Sequence, residues 1–311
     1  MFAYLRGLAK HVGGTALACV LLSTGMTMEI HAAENGAKDT SRIVSIGGDV
    51  TETLYELGLG ENIVAVDTTS VFPQSKISEK KSVGYMRALS SEGVLATGPT
   101  LIIATSKSGP PEVVQALKAS STPYVTVEEP DTPEGVAEKV MEIAKIVGKD
   151  DEGRKLAERI RKEFDDVAKA RAAIAKPAKA LFLLSVQGGR ALAGGRGTAA
   201  DAMLALAGAE NIVSAFESYK PLSGEAALML APDAIVVMKA APGSRTTDAH
   251  SQLATEIAAI EGLADTPAVK NGRIIEFDGS LMLQFGPRAP QAAQELMRIL
   301  HPETESRRGT N

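Results

Sequence analysis

Leu89-Ser90-Ser91-Glu92-Gly93-Val94-Leu95-Ala96-Thr97-Gly98-Pro99-Thr100-Leu101-Ile102-Ile103 aligns without a gap on Leu222-Ser223-Gly224-Glu225-Ala226-Ala227-Leu228-Met229-Leu230-Ala231-Pro232-Asp233-Ala234-Ile235-Val236. The first Leu, the Ser, the Glu, the second Leu, the Pro and an Ile are shared. Each copy reads as a Ser-capped helix with a Glu in its first turn, then a break, then an apolar strand. Two further echoes stand in the same order. Gly47-Gly48-Asp49-Val50-Thr51 is matched by Gly194-Gly195-Arg196-Gly197-Thr198, and Glu61-Asn62-Ile63-Val64 recurs letter for letter as Glu210-Asn211-Ile212-Val213. Three echoes in one order predict two similar lobes.

Outward from the repeat, apolar runs alternate with helical patterns. Arg42–Ile46, Ile63–Val66, Leu101–Ala104 and Tyr124–Val127 read as strands. Helices are predicted from a Thr51 cap through Leu57, over Glu112–Leu117, and over Pro133–Val147. This alternation predicts parallel α/β architecture. Gly47-Gly48 lacks the full glycine pattern of a dinucleotide loop, so that signal is weak. Leu156, Ile160, Phe164 and Val167 recur at helical spacing within a charged stretch, 151–175. That predicts one helix of about 25 residues, roughly 37 Å long at 1.5 Å per residue. Such a helix is stiffer than a Gly/Ser linker.

The predicted fold is therefore α/β, with two similar Rossmann-like lobes joined by one long rigid helix and a ligand cleft between the lobes. The expected segments are an export signal at 1–33, a first lobe at 41–149, the linking helix at 150–176 and a second lobe at 177–302. Ligand sites favour domain interfaces and the carboxyl ends of strands. The loops at 84–88 and 216–221 hold such positions.

The 311 residues carry a formal charge of −5, which argues against a nucleic-acid surface. Arg6, Lys10 and His11 precede an apolar run from Val12 to Leu22, and Ala32-Ala33 offers small residues for cleavage, so residues 1–33 read as an export signal. The run is too short for a membrane span. Cys19 is the only cysteine and its surroundings match a lipidation site poorly, so the expected location is the periplasm without a lipid anchor. A cleaved chain would then hold neither disulfide nor thiolate metal site.

Within the stretch before the first helix copy, Gly84-Tyr85-Met86-Arg87-Ala88 lacks apolar periodicity and reads as an exposed loop. In an extended segment residues two apart share a side, which sets Arg87 beside the Tyr85 phenol. A guanidinium favours phenolate, and a phenolate is a hard anionic oxygen suited to ferric iron; tyrosine is a known haem axial ligand. The alternative is an ordinary half-buried aromatic.

Gly84-Tyr85-Met86-Arg87-Ala88-Leu89-Ser90-Ser91-Glu92-Gly93, Ala193-Gly194-Gly195-Arg196-Gly197-Thr198-Ala199-Ala200-Asp201-Ala202-Met203 and Tyr219-Lys220-Pro221-Leu222-Ser223 resemble the periplasmic haem-binding proteins of bacterial haem ABC importers. The resemblance spans residues 41–300. It implies capture of ferric haem, with Tyr85 ligating the iron and Arg87 hydrogen-bonding the phenolate. It also implies a monomer that serves an inner-membrane ABC permease and ATPase, with an outer-membrane haem uptake system as a further partner. Some relatives place a His before a Gly-Gly in the second lobe; this chain has Gln187 before Gly188-Gly189, so a second axial ligand is not implied. Lys107, Arg196, Lys220, Tyr219 and Arg245 stand on predicted loops where they can meet haem propionates, or be solvated. Met86 and Met229 can pack on the macrocycle or in the core.

The remaining residues separate the classes. His250 lies in a polar loop and His301 in the tail, and no His pair has metal spacing, which disfavours a bare-ion site. No Ser–His–Asp set, HExxH or catalytic carboxylate pair supports an enzyme. Siderophore or cobalamin binding is the alternative within the same class. Glu92 and Glu225 suit the positive end of a helix. Their equivalent placement also suits two basic pockets on a two-fold symmetric partner, and the resemblance implies contact with permease arginines. Phe285-Gly286-Pro287-Arg288 is expected to cap the last helix.

Overall fold

The computed structural model of the chain describes residues 38–239 and 249–302. The predicted export signal with Cys19, and Arg245, lie outside the described residues, as does the side chain of His250.

The first lobe contains β1 (Ile43–Ile46), β2 (Ile63–Val66), β3 (Lys81–Ser82), β4 (Leu101–Thr105) and β5 (Tyr124–Val127). They form one parallel sheet of order β3-β2-β1-β4-β5. β1 and β4 are buried along their whole length, as strands covered on both faces must be. The helix after β1, Gly48–Glu56, starts before the predicted Thr51 cap. Its cap is Gly47, which has φ 111° and no side chain to offer. Thr51 sits inside the helix, where its hydroxyl meets those of Ser45 and Ser70, each at 2.7 Å.

The second lobe contains β6 (Ala178–Gln187), β7 (Arg190–Gly194), β8 (Ala209–Asn211), β9 (Tyr219–Leu222), β10 (Ala234–Lys239) and β11 (Ile274–Asp278). Its sheet has the order β11-β10-β6-β7-β9, with β8 beside the first half of β6. β8, β10 and β11 are parallel to their neighbours, but β7 and β9 are antiparallel. The expected all-parallel architecture therefore holds for the first lobe alone. The cause is the hairpin turn at Gly188-Gly189, where φ is 56° and 73°, conformations that glycine adopts without strain. The second half of the expected loop at 216–221 belongs to β9.

The repeat survives in register where it matters. β1 pairs β4 with Ile43 opposite Leu101, and β6 pairs β10 with Ala180 opposite Ala234. Leu101 and Ala234 are partners in the sequence alignment as well. The glycine echo does not survive: Gly47 caps its helix, whereas the cap of Ala199–Leu206 is Thr198, which the alignment had placed against Thr51.

The linking helix runs over Asp150–Ala172, 23 residues. Asp150, Asp151 and Glu152 open it and Lys169 and Arg171 close it, which complements the helix dipole. Leu156, Ala157, Ile160, Phe164 and Val167 form its buried stripe. Each of the larger ones contributes about 1.5–3 kcal/mol of burial. Gly153 lets this helix approach Pro133–Ile146; a Cβ there would lie 2.2 Å from that of Ala144. The largest hydrophobic cluster runs from Ile43 and Leu101, past Ile160 and Phe164, to Phe182 and Val236. Both lobes thus share one core across the helix.

Candidate functional site

The Tyr85 loop is fixed from below. Val83, Met86 and Leu89 are buried in a cluster with Val44, Ile46 and Ala104. Backbone bonds hold it on two sides: Thr68 N–H donates to Gly84 O at 2.9 Å, Gly109 N–H to Met86 O at 2.9 Å, and Leu89 N–H to Gly109 O at 3.0 Å. Gly84 takes φ 89°, and a Cβ there would meet nothing within 4 Å, so backbone conformation alone calls for glycine. Ala88 N–H donates to Tyr85 O at 2.8 Å, closing a turn. The expected extended geometry is therefore replaced by a turn. With Met86 taken into the core, Tyr85 and Arg87 are both left exposed, Tyr85 at 45%. Neither the phenol nor the guanidinium has a hydrogen-bond or ion-pair partner among the described residues.

The other expected ligand contacts are engaged elsewhere. Lys107, after β4, pairs with Glu129 at 3.0 Å and Asp131 at 3.8 Å, after β5. Burial works against the Lys107 ammonium, but Glu129 and Asp131 outweigh it and hold its pKa above the ordinary value. Glu129 is pushed up by burial and by the Asp49 carboxylate, which together outweigh Lys107; Asp131 is raised by burial. Arg196 pairs at 3.7 Å with Glu217, both largely exposed. Tyr219 ends against the hydroxyl of Thr198 and the backbone of Ala200, and burial raises its phenol pKa. Lys220 lies 5.6 Å from the centre of the Phe216 ring. Gln187 lines a cavity of about 460 Å³ with Gly188, Gly189 and Glu256.

Two polar assemblies were missed in the sequence. Asp49 and Lys139 form a buried ion pair. Lys139 stands between Val136, Val140 and Ile143 in the apolar stripe of its helix, and a lysine in that stripe was the available signal. The acidic run Glu128-Glu129-Pro130-Asp131 after β5 was equally visible. Residues 284–288 are the second assembly. Arg288 is the N-cap residue of Ala289–Leu300, as expected, but its side chain makes no cap bond; it reaches Glu52, with the Arg288 backbone N–H at 2.8 Å from one carboxylate oxygen and Nε at 2.9 Å from the other.

Glu92 and Glu225 occupy equivalent places. Ser90 accepts from Gly93 N–H at 3.3 Å and Ser223 from Ala226 N–H at 3.2 Å, and each glutamate is exposed in the first turn that follows. Helix Gly224–Leu230 also exposes Leu228 at 46% and Met229 at 81%; helix Ser91–Leu95 exposes no large apolar side chain. Met229 is therefore on the exposed face of helix Gly224–Leu230, and Met86, at 7%, is core.

Comparison with known proteins matches residues 43–281 to the model of the family described as Periplasmic binding protein. The chain belongs to the periplasmic binding protein family. Among solved structures, this binding protein is similar to the periplasmic heme-binding protein RhuT from Roseiflexus sp. RS-1 in apo form. The two are 32% identical with a TM-score of 0.78 over 86% of this chain and 99% of that one. Among curated proteins, it is 26% identical to the uncharacterized ABC transporter substrate-binding lipoprotein YvrC of Bacillus subtilis, over 86% of this chain and 82% of that protein. A shorter stretch, 40% of this chain and 44% of the relative, is 28% identical to the vitamin B12-binding protein of Vibrio campbellii. Among the described residues of this binding protein, no group of three or more His, Cys, Asp or Glu is placed to hold a metal ion. No described helix is long and apolar enough to cross a membrane.

Proposed function

We propose that this protein captures ferric haem in the periplasm through Tyr85 and hands it to an inner-membrane ABC permease. One observation carries the reading: a tyrosine and an arginine stand exposed and without a partner among the described residues, on a loop whose backbone is pinned to the sheet's carboxyl edge. A fixed loop that offers side chains with no protein partner lowers the ordering cost of taking a ligand. The phenol supplies an anionic oxygen to ferric iron, and Arg87 steadies that charge as an outer-shell donor. The resemblance over nearly the full length of a haem-binding protein supports haem over cobalamin, for which the match covers under half of the relative.

Among the described residues, Lys220 has no carboxylate partner and can meet a haem propionate, whereas Lys107 and Arg196 would have to turn from Glu129 and Glu217 to do so. Glu92 and Glu225 dock on the permease. Export follows from residues 1–33; the lipoprotein relative keeps anchoring through Cys19 as the competing outcome. The segments 41–149, 150–176 and 177–302 serve as lobe, link and lobe.

Titrating the protein with hemin and with cyanocobalamin tests this, repeated with Tyr85→Ala. The expected result is a high-spin ferric tyrosinate spectrum with hemin alone, lost in the variant. Hemin binding that survives unchanged in Tyr85→Ala removes Tyr85 as the ligand, and selective uptake of cyanocobalamin replaces haem as the cargo.

A further inference from the structure

The linking helix is not the only joint between the lobes. Residues 284–288, which follow the second sheet, pack on the start of the first lobe. Gln284 Nε2 donates to Thr69 O at 2.8 Å. Arg288 binds both carboxylate oxygens of Glu52, whose side chain is only 5% exposed. The same guanidinium lies 3.8 Å from the centre of the Phe72 ring. The fit leaves no slack: a Cβ on Gly48 would lie 2.2 Å from the Gln284 side chain, and one on Gly286 would lie 3.3 Å from Asp49.

The segment held by this strap also holds the Tyr85 loop. Thr68 N–H donates to Gly84 O at 2.9 Å, and the Thr69 hydroxyl points to Met86 Sδ at 3.6 Å. Asp67 stiffens the segment between, accepting from Thr69 N–H at 2.8 Å, from Ser70 Oγ at 3.0 Å and from Gly47 N–H at 2.8 Å. Gly84 and Met86 flank Tyr85. A single short segment, 67–72, is therefore clamped from the second lobe on one side and bonded to the Tyr85 loop on the other.

We propose that residues 284–288 form an interlobe latch in which Gln284 and Arg288 position the Tyr85 loop, so that separating the lobes loosens the grip of Tyr85. Lobe separation draws Gln284 away from Thr69 and Arg288 away from Glu52. The opened state has lost the Glu52–Arg288 pair and the Gln284–Thr69 bond, which favours closing again once the pull ends. The latch stands on the geometry; only its effect on the ligand rests on the Tyr85 reading above.

The experiment reads the two parts separately. In a Cys19→Ser background, nitroxides at Gln115→Cys and Lys270→Cys, both exposed, report the distance between the lobes without hemin. Gln284→Ala and Gly48→Ala are expected to broaden that distribution alike, one by deleting the latch side chain and the other by displacing it. Arg288→Ala broadens it further, and Arg288→Lys restores part of the wild-type width. Hemin release to apomyoglobin is expected to speed roughly five- to tenfold in Gln284→Ala, the worth of one lost hydrogen bond. Distributions as narrow as wild type in all three disruptive variants overturn the latch, whether or not hemin binds. Broadened distributions with an unchanged release rate overturn its coupling to Tyr85. If the wild type takes up no hemin, the Tyr85 reading fails alone and the distances still judge the latch.

Discussion

Tyr85 follows β3 and Tyr219 opens β9, each an outermost strand of its sheet, yet their surroundings differ. Tyr85 is exposed on a turn, with its phenol unpartnered among the described residues. Tyr219 lies on β9, which is paired to β7, and its phenol is packed against Thr198 and raised in pKa by burial. The difference comes from the inserted hairpin. In the first lobe the chain reaches the edge through a turn that the sheet does not extend over. In the second, the antiparallel pair β7–β9 takes up the same edge and uses its tyrosine to close the structure. On the proposed reading, two lobes of common design divide the work, one offering an oxygen and the other a wall.

The largest test of that division exchanges one hydroxyl at a time. Tyr85→Phe keeps the ring and removes the ligand oxygen. Its hemin affinity is expected to fall by more than the roughly 10–100-fold that loss of an outer-shell partner costs, with Arg87→Ala falling inside that range. Tyr219→Phe is expected to leave the ferric spectrum intact and to cost about 1 kcal/mol of stability, the net worth of a hydrogen bond. Absorption titration and thermal melts of the three variants decide it. A spectrum altered equally by Tyr85→Phe and Tyr219→Phe would erase the contrast.

A smaller effect is expected at the two Glu helices proposed to dock, where the lobes are most alike. Their caps and glutamates match, but only the second helix exposes Leu228 and Met229. Apolar contact beside Glu225 offsets part of its loss, so Glu92→Ala is expected to weaken binding to the permease in nanodiscs more than Glu225→Ala does. About tenfold per glutamate is the scale for a charge removed at an interface, 1.4 kcal/mol. Equal losses would mean that Leu228 and Met229 do not touch the permease.

How much of this was legible follows from distance along the chain. The strands Ile43–Ile46, Ile63–Val66, Leu101–Thr105 and Tyr124–Val127 were readable because each is a short apolar run, and the linking helix because its stripe repeats over roughly three turns. The capped Glu helices were readable because Ser90 and Ser223 act on the next turn. β3 was not, since two exposed residues carry no pattern. The hairpin was announced by Gly188-Gly189, a turn signal overlooked while those glycines were weighed as neighbours of a ligand position. Gln284 and Arg288 lie 215 and 236 residues from their partners, and no local pattern reports a contact of that range. The turn at Tyr85 was hidden for a related reason: it is closed by backbone bonds to residues after β2 and β4.

Lys107 and Arg196 give the finest form of the comparison, because the sequence assigned both to the ligand and the fold gives both a carboxylate. They differ in burial. Glu129 is 13% exposed beside Lys107, whereas Glu217 is 77% exposed beside Arg196. A surface pair of that kind is worth little, so Glu217→Gln is expected to move the melting temperature hardly at all at neutral pH. Glu129 behaves otherwise. Burial and Asp49 raise its folded pKa above the ordinary carboxylate value. The folded protein then binds this proton more tightly than the unfolded chain does. The resulting stabilisation is full below the ordinary glutamate pKa, about 4.3, and is lost as pH rises through the raised value. Glu129→Gln removes that dependence. The melting temperature of the wild type relative to the variant is therefore expected to be highest near about pH 4 and to decline toward neutrality. A difference that instead grows with pH would show that Lys107 outweighs burial at Glu129. The first-lobe cluster would then be an ordinary ion pair like that of Arg196, and the contrast between the two edges would rest on Tyr85 alone.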